Sequence, residues 1–161
     1  MSETIHACES NGAEFVTEDI SNLNLGTTDA PNIVPASYPV PRGDRSFSKY
    51  LFFRFTGTWT LITNMKFWKN SGAYVTDELI TAGANQAFAT PSQADTGDSA
   101  IPTVVGSALA INSAEGANHI EYGESGVSGD SAYIRLQAET SVSSPAGATN
   151  SKILRFQYDV V

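Results

Sequence analysis

Phe47-Ser-Lys49-Tyr50-Leu51-Phe52-Phe53-Arg54-Phe55-Thr56-Gly57-Thr58-Trp59-Thr60-Leu61-Ile62-Thr63-Asn64-Met65-Lys66-Phe67-Trp68-Lys69 is the stretch on which the fold reading turns. It holds both tryptophans and much of the bulky aromatic content. Side chains alternate across an extended strand, so Leu51, Phe53 and Phe55 share one face and Phe52, Arg54 and Thr56 the other. Beyond Gly57-Thr58, which reads as a turn, Trp59, Leu61, Thr63, Met65 and Phe67 share a parity that Ile62, Lys66 and Trp68 oppose. The pattern predicts two long strands at the centre of an all-β core.

Working outward, the same alternation returns late in the chain. Ala132, Ile134, Leu136 and Ala138 oppose Tyr133, Arg135, Gln137 and Glu139. Leu154, Phe156, Tyr158 and Val160 alternate with Ile153, Arg155, Gln157 and Asp159. Val142 to Asn150 reads as a hairpin-like connection between them. Shorter strands are expected near Glu14–Thr17, Tyr74-Val75, Ile101–Val105, Ser107–Asn112 and Asn118–Tyr122. Asp77 to Ile80 reads as strand or as one turn of helix. Gly123 to Gly129 is a Gly/Ser-rich loop. About eight strands without a strong helix predict a single β-sandwich, jelly-roll or Ig-like, with long loops.

The sandwich is expected over residues 42–161. Residues 1–41 read as an extended N-terminal arm or loop region with a possible edge strand. Within it Met1–Gly12 is polar and reads as an arm or frayed end. Pro31, Pro35, Pro39 and Pro41 exclude a central strand or helix. That run reads as a ribbon over a surface, the chain's own or a neighbour's.

At 161 residues the chain suits one domain with a sizeable core. Charged residues are 16% of it, below the usual quarter or so. A net charge of −8 argues against a nucleic-acid binder, which needs cations to displace phosphate counterions. Arg42, Arg45, Lys49, Arg54, Lys66 and Lys69 cluster in the sequence. Asp77, Glu78, Asp95, Asp98, Glu115, Glu121, Glu124 and Asp130 follow. If the fold keeps them apart, the molecule is electrostatically two-sided; otherwise these are ordinary solvated faces. The one cysteine, Cys8, builds no intrachain disulfide or thiolate metal site. No signal peptide and no membrane-spanning run are read, so folding in a cytoplasm is expected.

Candidate chemistry is sparse. His6 and His119 stand apart, with no third ligand near His6-Ala7-Cys8. No nucleophile motif accompanies His119. Arg42-Gly43-Asp44 reads as a turn rather than an adhesion signal. Trp59, Trp68, Tyr50 and Tyr74 suit either a sugar-stacking platform or core and interface packing. Flanking lysines make Trp68 the one expected to be exposed. No catalytic, cofactor-binding or metal residue is assigned, and no cofactor is expected.

Five features in order resemble small β-rich virion proteins of tailed bacteriophages. They are the turn-rich Asp19–Leu23, the proline-bearing arm, Ile62-Thr63-Asn64-Met65-Lys66-Phe67-Trp68, a Gly-punctuated middle, and Phe156-Gln157-Tyr158-Asp159. Val160-Val161 replaces the acidic stop of such endings. The resemblance implies a non-enzymatic capsid decoration or cement protein, or a neck or tail accessory protein. It implies a place on the capsid surface, assembly in the host cytoplasm, and the major capsid protein as partner. A homo-oligomer, trimer or dimer, is expected, with no membrane and no direct nucleic-acid contact. Pro31, Ile33, Val34, Pro35, Tyr38 and Pro39 are then interface candidates on the arm. Arg42, Arg45 and Lys49 would meet acidic surface, and Trp68 would add an exposed aromatic. The alternative is a β-sandwich module that binds carbohydrate or a receptor, with Trp59 or Trp68 exposed.

Overall fold

The computed structural model describes residues 2–145 and 150–161. The connection expected over Val142–Asn150 lies partly outside them. Among the described residues ten strands form, with two short 3-10 turns at Pro35–Ser37 and Val105–Ser107. In chain order they are β1 (Ser2–Asn11), β2 (Phe15–Thr17), β3 (Lys49–Thr58), β4 (Leu61–Ser71) and β5 (Glu78–Gln86). There follow β6 (Ser99–Ala100), β7 (Leu109–Ala110), β8 (His119–Glu121), β9 (Tyr133–Thr140) and β10 (Ile153–Val160). One antiparallel sheet has the order β2-β1-β3-β9-β5-β6; the other has β10-β4-β7, with β8 also on β4. The two sheets pack face to face as a β-sandwich.

The core is built by strand alternation. Leu51, Phe53 and Phe55 of β3, Ile80 and Ala82 of β5, and Ile134 and Leu136 of β9 meet Ile62, Met65 and Phe67 of β4 and Ile120 of β8. Phe53 stacks on Phe156 with ring centroids 3.8 Å apart, and Phe55 meets Tyr158 edge-on at 4.9 Å. Such pairs add to the area term that drives burial. Tyr50 and Phe52 point the other way and pack with Tyr133; Phe88 joins Tyr50 and Tyr133 in a second aromatic cluster.

Four sequence expectations are corrected here. Met1–Gly12 is no frayed arm over the described residues: β1 pairs with β3 from Ser2↔Thr58 to Ser10↔Tyr50. Its polar look misleads because Glu9, Ser10 and Asn11 are buried with partners inside the fold. Asp77–Ile80 is no helical turn; Glu78–Gln86 is strand, entered through Asp77 at φ 60. Ile101–Val105 is no strand; it runs from β6 into the Val105–Ser107 turn. β3 and β4 sit in opposite sheets, so their connection crosses the sandwich. Gly57 allows that crossing: it has φ 93, and a side chain there would collide with the Ser2 carbonyl.

The fourth correction is the parity of β4. Ile62 is core, not outward: it is fully buried, as are Met65 and Phe67 to within 2%. Between the pairs Thr63↔Asp159 and Lys66↔Gln157, β4 carries one residue more than β10. Asn64 takes up the extra residue in the left-handed region, at φ 51. This bulge switches the alternation between Ile62 and Met65. β5 repeats the device at Asn85, φ 56, where its register with β9 shifts.

Candidate functional site

Five of the nine basic residues are taken by carboxylates within the chain. Arg54 clamps Asp130 with two bonds of 2.8 Å and also meets Glu18. Arg135 holds Asp98 at 2.7 and 2.9 Å. Each carboxylate hydrogen bond raises the guanidinium pKa further above its ordinary value. Arg45 reaches Glu139 and Asp95, and Lys152 meets both oxygens of Glu78 at 2.5 Å. The fold thus brings the acidic middle back onto the basic stretch. Strand order does this, since β9 lies between β3 and β5. The two-sided charge distribution is not formed. Among the described residues, Arg42, Lys66, Lys69 and Arg155 have no such carboxylate partner; Lys69 donates to the Gly72 carbonyl instead.

Lys49 shows the strongest departure from the sequence expectation. It is 1% exposed and its ammonium sits 2.7 Å from Glu9, itself fully buried. The ammonium also donates to the Ala30 carbonyl at 2.9 Å. Asn11 donates to Glu9 at 2.8 Å and to Asp29 at 2.7 Å, and the Gly12 amide donates to Asp29 at 2.7 Å. Lys49 shares the inward parity of Leu51 and Phe53, so its charge needs a partner inside. Trp68 is buried as well, at 4%, in a strand against which the Val105–Ser107 turn packs. Trp59 and Tyr50 are buried too, so the sugar-stacking platform is not formed.

The remaining interface candidates do come together. The proline ribbon folds over the chain itself. Ile33 is 4% exposed and plugs in beside Gly26, where a side chain would strike Ile33 and the Tyr38 carbonyl. The Asn32 side-chain oxygen accepts from the Ser21 and Asn22 amides at 2.7 and 3.2 Å. Asn24 donates to the Ile33 carbonyl at 3.0 Å, and the Thr27 amide to the Tyr38 carbonyl at 3.1 Å. Pro31 is half-buried at this root. Between the anchors Pro35–Ser37 turns as a 3-10 helix and presents Val34, Pro35, Tyr38 and Pro39 outward. Val34 is 60% and Tyr38 42% exposed. Arg42 is exposed beyond them, and next to it Gly43 abuts Val142, which is 79% exposed.

A second feature, missed in the sequence, is a groove of about 580 Å³ on β4. β8 pairs with β4 at Leu61–Thr63 and β7 pairs with it at Lys66-Phe67, leaving the Asn64 bulge between them. Thr63, Asn64, Lys66, Asn112, His119 and Glu121 give the groove a rim of hydroxyl, amide and charged groups. Asn64 donates to Asp159 at 2.6 Å, and His119 shares a hydrogen bond of 3.0 Å with Asn118. The strand-end positions of these residues depend on the bulge, which alternation alone does not reveal. Among the described residues no group of three or more His, Cys, Asp or Glu is placed to hold a metal ion. Nor is any helix among the described residues long and apolar enough to cross a membrane. Comparison with protein-family models, with curated proteins and with solved structures finds no match.

Proposed function

We propose that this chain is a non-enzymatic structural protein of a tailed-bacteriophage particle. Its role is that of a decoration protein which docks on the major capsid protein lattice and stabilises the head. The carrying observation is the Pro31–Pro41 loop. Its root is fixed by Ile33 and Asn32 while its tip holds Val34, Pro35, Tyr38 and Pro39 in solvent. A tip already ordered loses little conformational freedom on docking, so its apolar area converts efficiently into affinity. Arg42, without a carboxylate partner among the described residues, supplies a cation beside it. The sequence resemblance to small virion proteins points the same way, and a homo-oligomer on the lattice fits it.

The test is the copy number in purified particles relative to the major capsid protein. A simple fraction of the lattice is expected. A single ring's worth would move the protein to the neck or tail, and absence from the particle would overturn the reading. Val34→Asp and Tyr38→Ala should weaken capsid binding at unchanged melting temperature. A module that binds a glycan or receptor is the second reading, favoured by the polar-rimmed groove at Asn64. Titration with a glycan panel checks it, with chemical shifts of Thr63, Asn112 and His119 as the readout.

A further inference from the structure

β10 pairs with β4 and ends its sheet. It is eight residues long, with no proline and no glycine. Its own backbone is regular, because the extra bulge residues lie on β4. Native sheets blunt such an edge with short strands, prolines or bulges. The other edges here are short: β2 has three residues, and β6 and β7 have two each. β1 is longer but is met by the Ile20 amide at Ala7 and by the His6–Asp19 pair. Among the described residues, β10 has none of these devices.

The hydrogen-bonding directions are set by one pair. The Val161 amide donates to Leu61 at 2.9 Å, and the Leu61 amide donates back to Val161 at 3.1 Å. Alternation then turns Asp159, Gln157 and Arg155 toward β4, leaving the amides and carbonyls of Leu154, Phe156, Tyr158 and Val160 on the outer edge. The side chains of those four are half-buried, and Leu154 and Phe156 line an apolar cleft of about 220 Å³ with Ala7, Ile20 and Leu23. The opposite face carries Ile153, Arg155, Gln157 and Asp159, all exposed.

We propose that β10 is a self-complementary docking edge that pairs antiparallel with β10 of a second copy about a two-fold axis at Gln157. In that register Leu154 faces Val160 and Phe156 faces Tyr158, apolar against apolar on the core side. On the outer face Arg155 of each copy faces Asp159 of the other, and Ile153 faces Val161. Ile153 and Val161 are 57% and 60% exposed in the single chain. Sliding by two residues in either direction removes Arg155 from Asp159, so charge complementarity selects one register. The outward residues are the ones that meet in this register, so their amides and carbonyls pair without rearrangement of β10. Dimerisation continues the smaller sheet through β7-β4-β10 and on into the second copy. The surface is isologous, as a two-fold dimer requires, and it goes beyond the docking loop, which it does not use.

The test is made on the whole chain. Gln157→Cys places two thiols opposite each other, with Cα atoms roughly 4.5–5.5 Å apart, within disulfide reach. Mild oxidation should convert this variant, but not the parent with its buried Cys8, to a covalent dimer. By sedimentation equilibrium, Arg155→Asp and Asp159→Arg should each weaken association roughly tenfold, because both symmetric pairs become repulsive. An equimolar mixture of the two restores opposite charges at every position and should associate like the parent. That rescue also shows that both variants are folded. A parent chain that stays monomeric at high concentration would overturn the proposal. So would a dimer indifferent to these substitutions, or a failure of Gln157→Cys to cross-link.

Discussion

Replacing Lys49 with methionine should destabilise the protein far more than a surface lysine would. Methionine keeps the aliphatic length but removes the charge 2.7 Å from Glu9. At that distance and an effective dielectric of about 20, the attraction lost is about 6 kcal/mol before desolvation is counted. Removing the lysine also removes its own desolvation cost, which offsets part of this. What remains is a carboxylate with no exposure, bonded to Asn11 alone, with Oε2 unpartnered. The Ala30 carbonyl loses its donor as well. Breaking a buried pair in this way costs about 3–5 kcal/mol. That is a large share of the roughly 5–15 kcal/mol by which a domain is stable. For a chain of this size it corresponds to a melting temperature lower by about 6–20 °C. Calorimetry and urea titration of Lys49→Met, Glu9→Leu and the double variant give the cycle. The double variant should recover at least about 2 kcal/mol relative to the sum of the singles. Should Lys49→Met cost less than about 1 kcal/mol with the fold intact, the pair is not buried as described and the reasoning fails.

Burial pushes the Cys8 thiol up to about 11 from an ordinary 9.0, against the lowering influence of Arg54. The folded state holds this proton more tightly, so its contribution is complete below pH 9 and lost as the pH rises from about 9 to about 11. The loss is about 2–3 kcal/mol, read as the difference between parent and Cys8→Ala in urea titrations across that range. Equal pH profiles for the two would contradict the burial. Asn64→Val forces a β-branched residue to φ 51 and removes the bond to Asp159, costing about 2–3 kcal/mol, whereas Asn64→Gly should cost clearly less. Denaturation midpoints that rank valine with glycine would count against a left-handed bulge. Trp59 and Trp68, at 8% and 4% exposure, should emit at short wavelength and resist acrylamide quenching. Emission typical of hydrated indole would restore the aromatic platform.

The two-sheet architecture was legible because its signal is local. Phe53 and Phe55, Ile134 and Leu136, and the half-buried Phe156 and Tyr158 all obey period two, and burial follows it. The edge strand at Phe15–Thr17 and the short strand at His119–Glu121 were legible for the same reason. Where reading failed, a non-local contact decided. Nothing within ten residues of Lys49 announces that Glu9 lies beside it, so the lysine looked like surface. Trp68 looked exposed because lysines flank it, yet Lys69 is buried too, bonded to the Gly72 carbonyl at 2.6 Å. β1 looked like a tail because its burial depends on β3, reached only after the whole proline loop. Of the candidate surface, the exposed Val34, Pro35, Tyr38, Pro39 and Arg42 were legible from prolines and turn formers. That Ile33 points inward required knowing where Gly26 sits.

Buried polar side chains explain how a chain with 41% hydrophobic residues orders such long loops. Gln137, fully buried on β9, donates to the Ser46 and Ala94 carbonyls at 2.9 Å each and accepts from the Thr96 amide at 3.3 Å. It thereby ties two loops to one strand. Asn32 does the same for the proline loop, and Lys49 reaches the same region through Ala30, two residues before Asn32. Lys49 therefore matters to the proposed docking loop without touching a partner. It fixes the segment from which Val34 and Tyr38 project, a positioning role rather than a contact. Tip variants and the Lys49 variant separate these roles physically. Val34→Asp alters what a partner meets and leaves the buried network whole. Lys49→Met leaves the tip chemistry whole and loosens what holds it, so any docking it loses must come with lost stability.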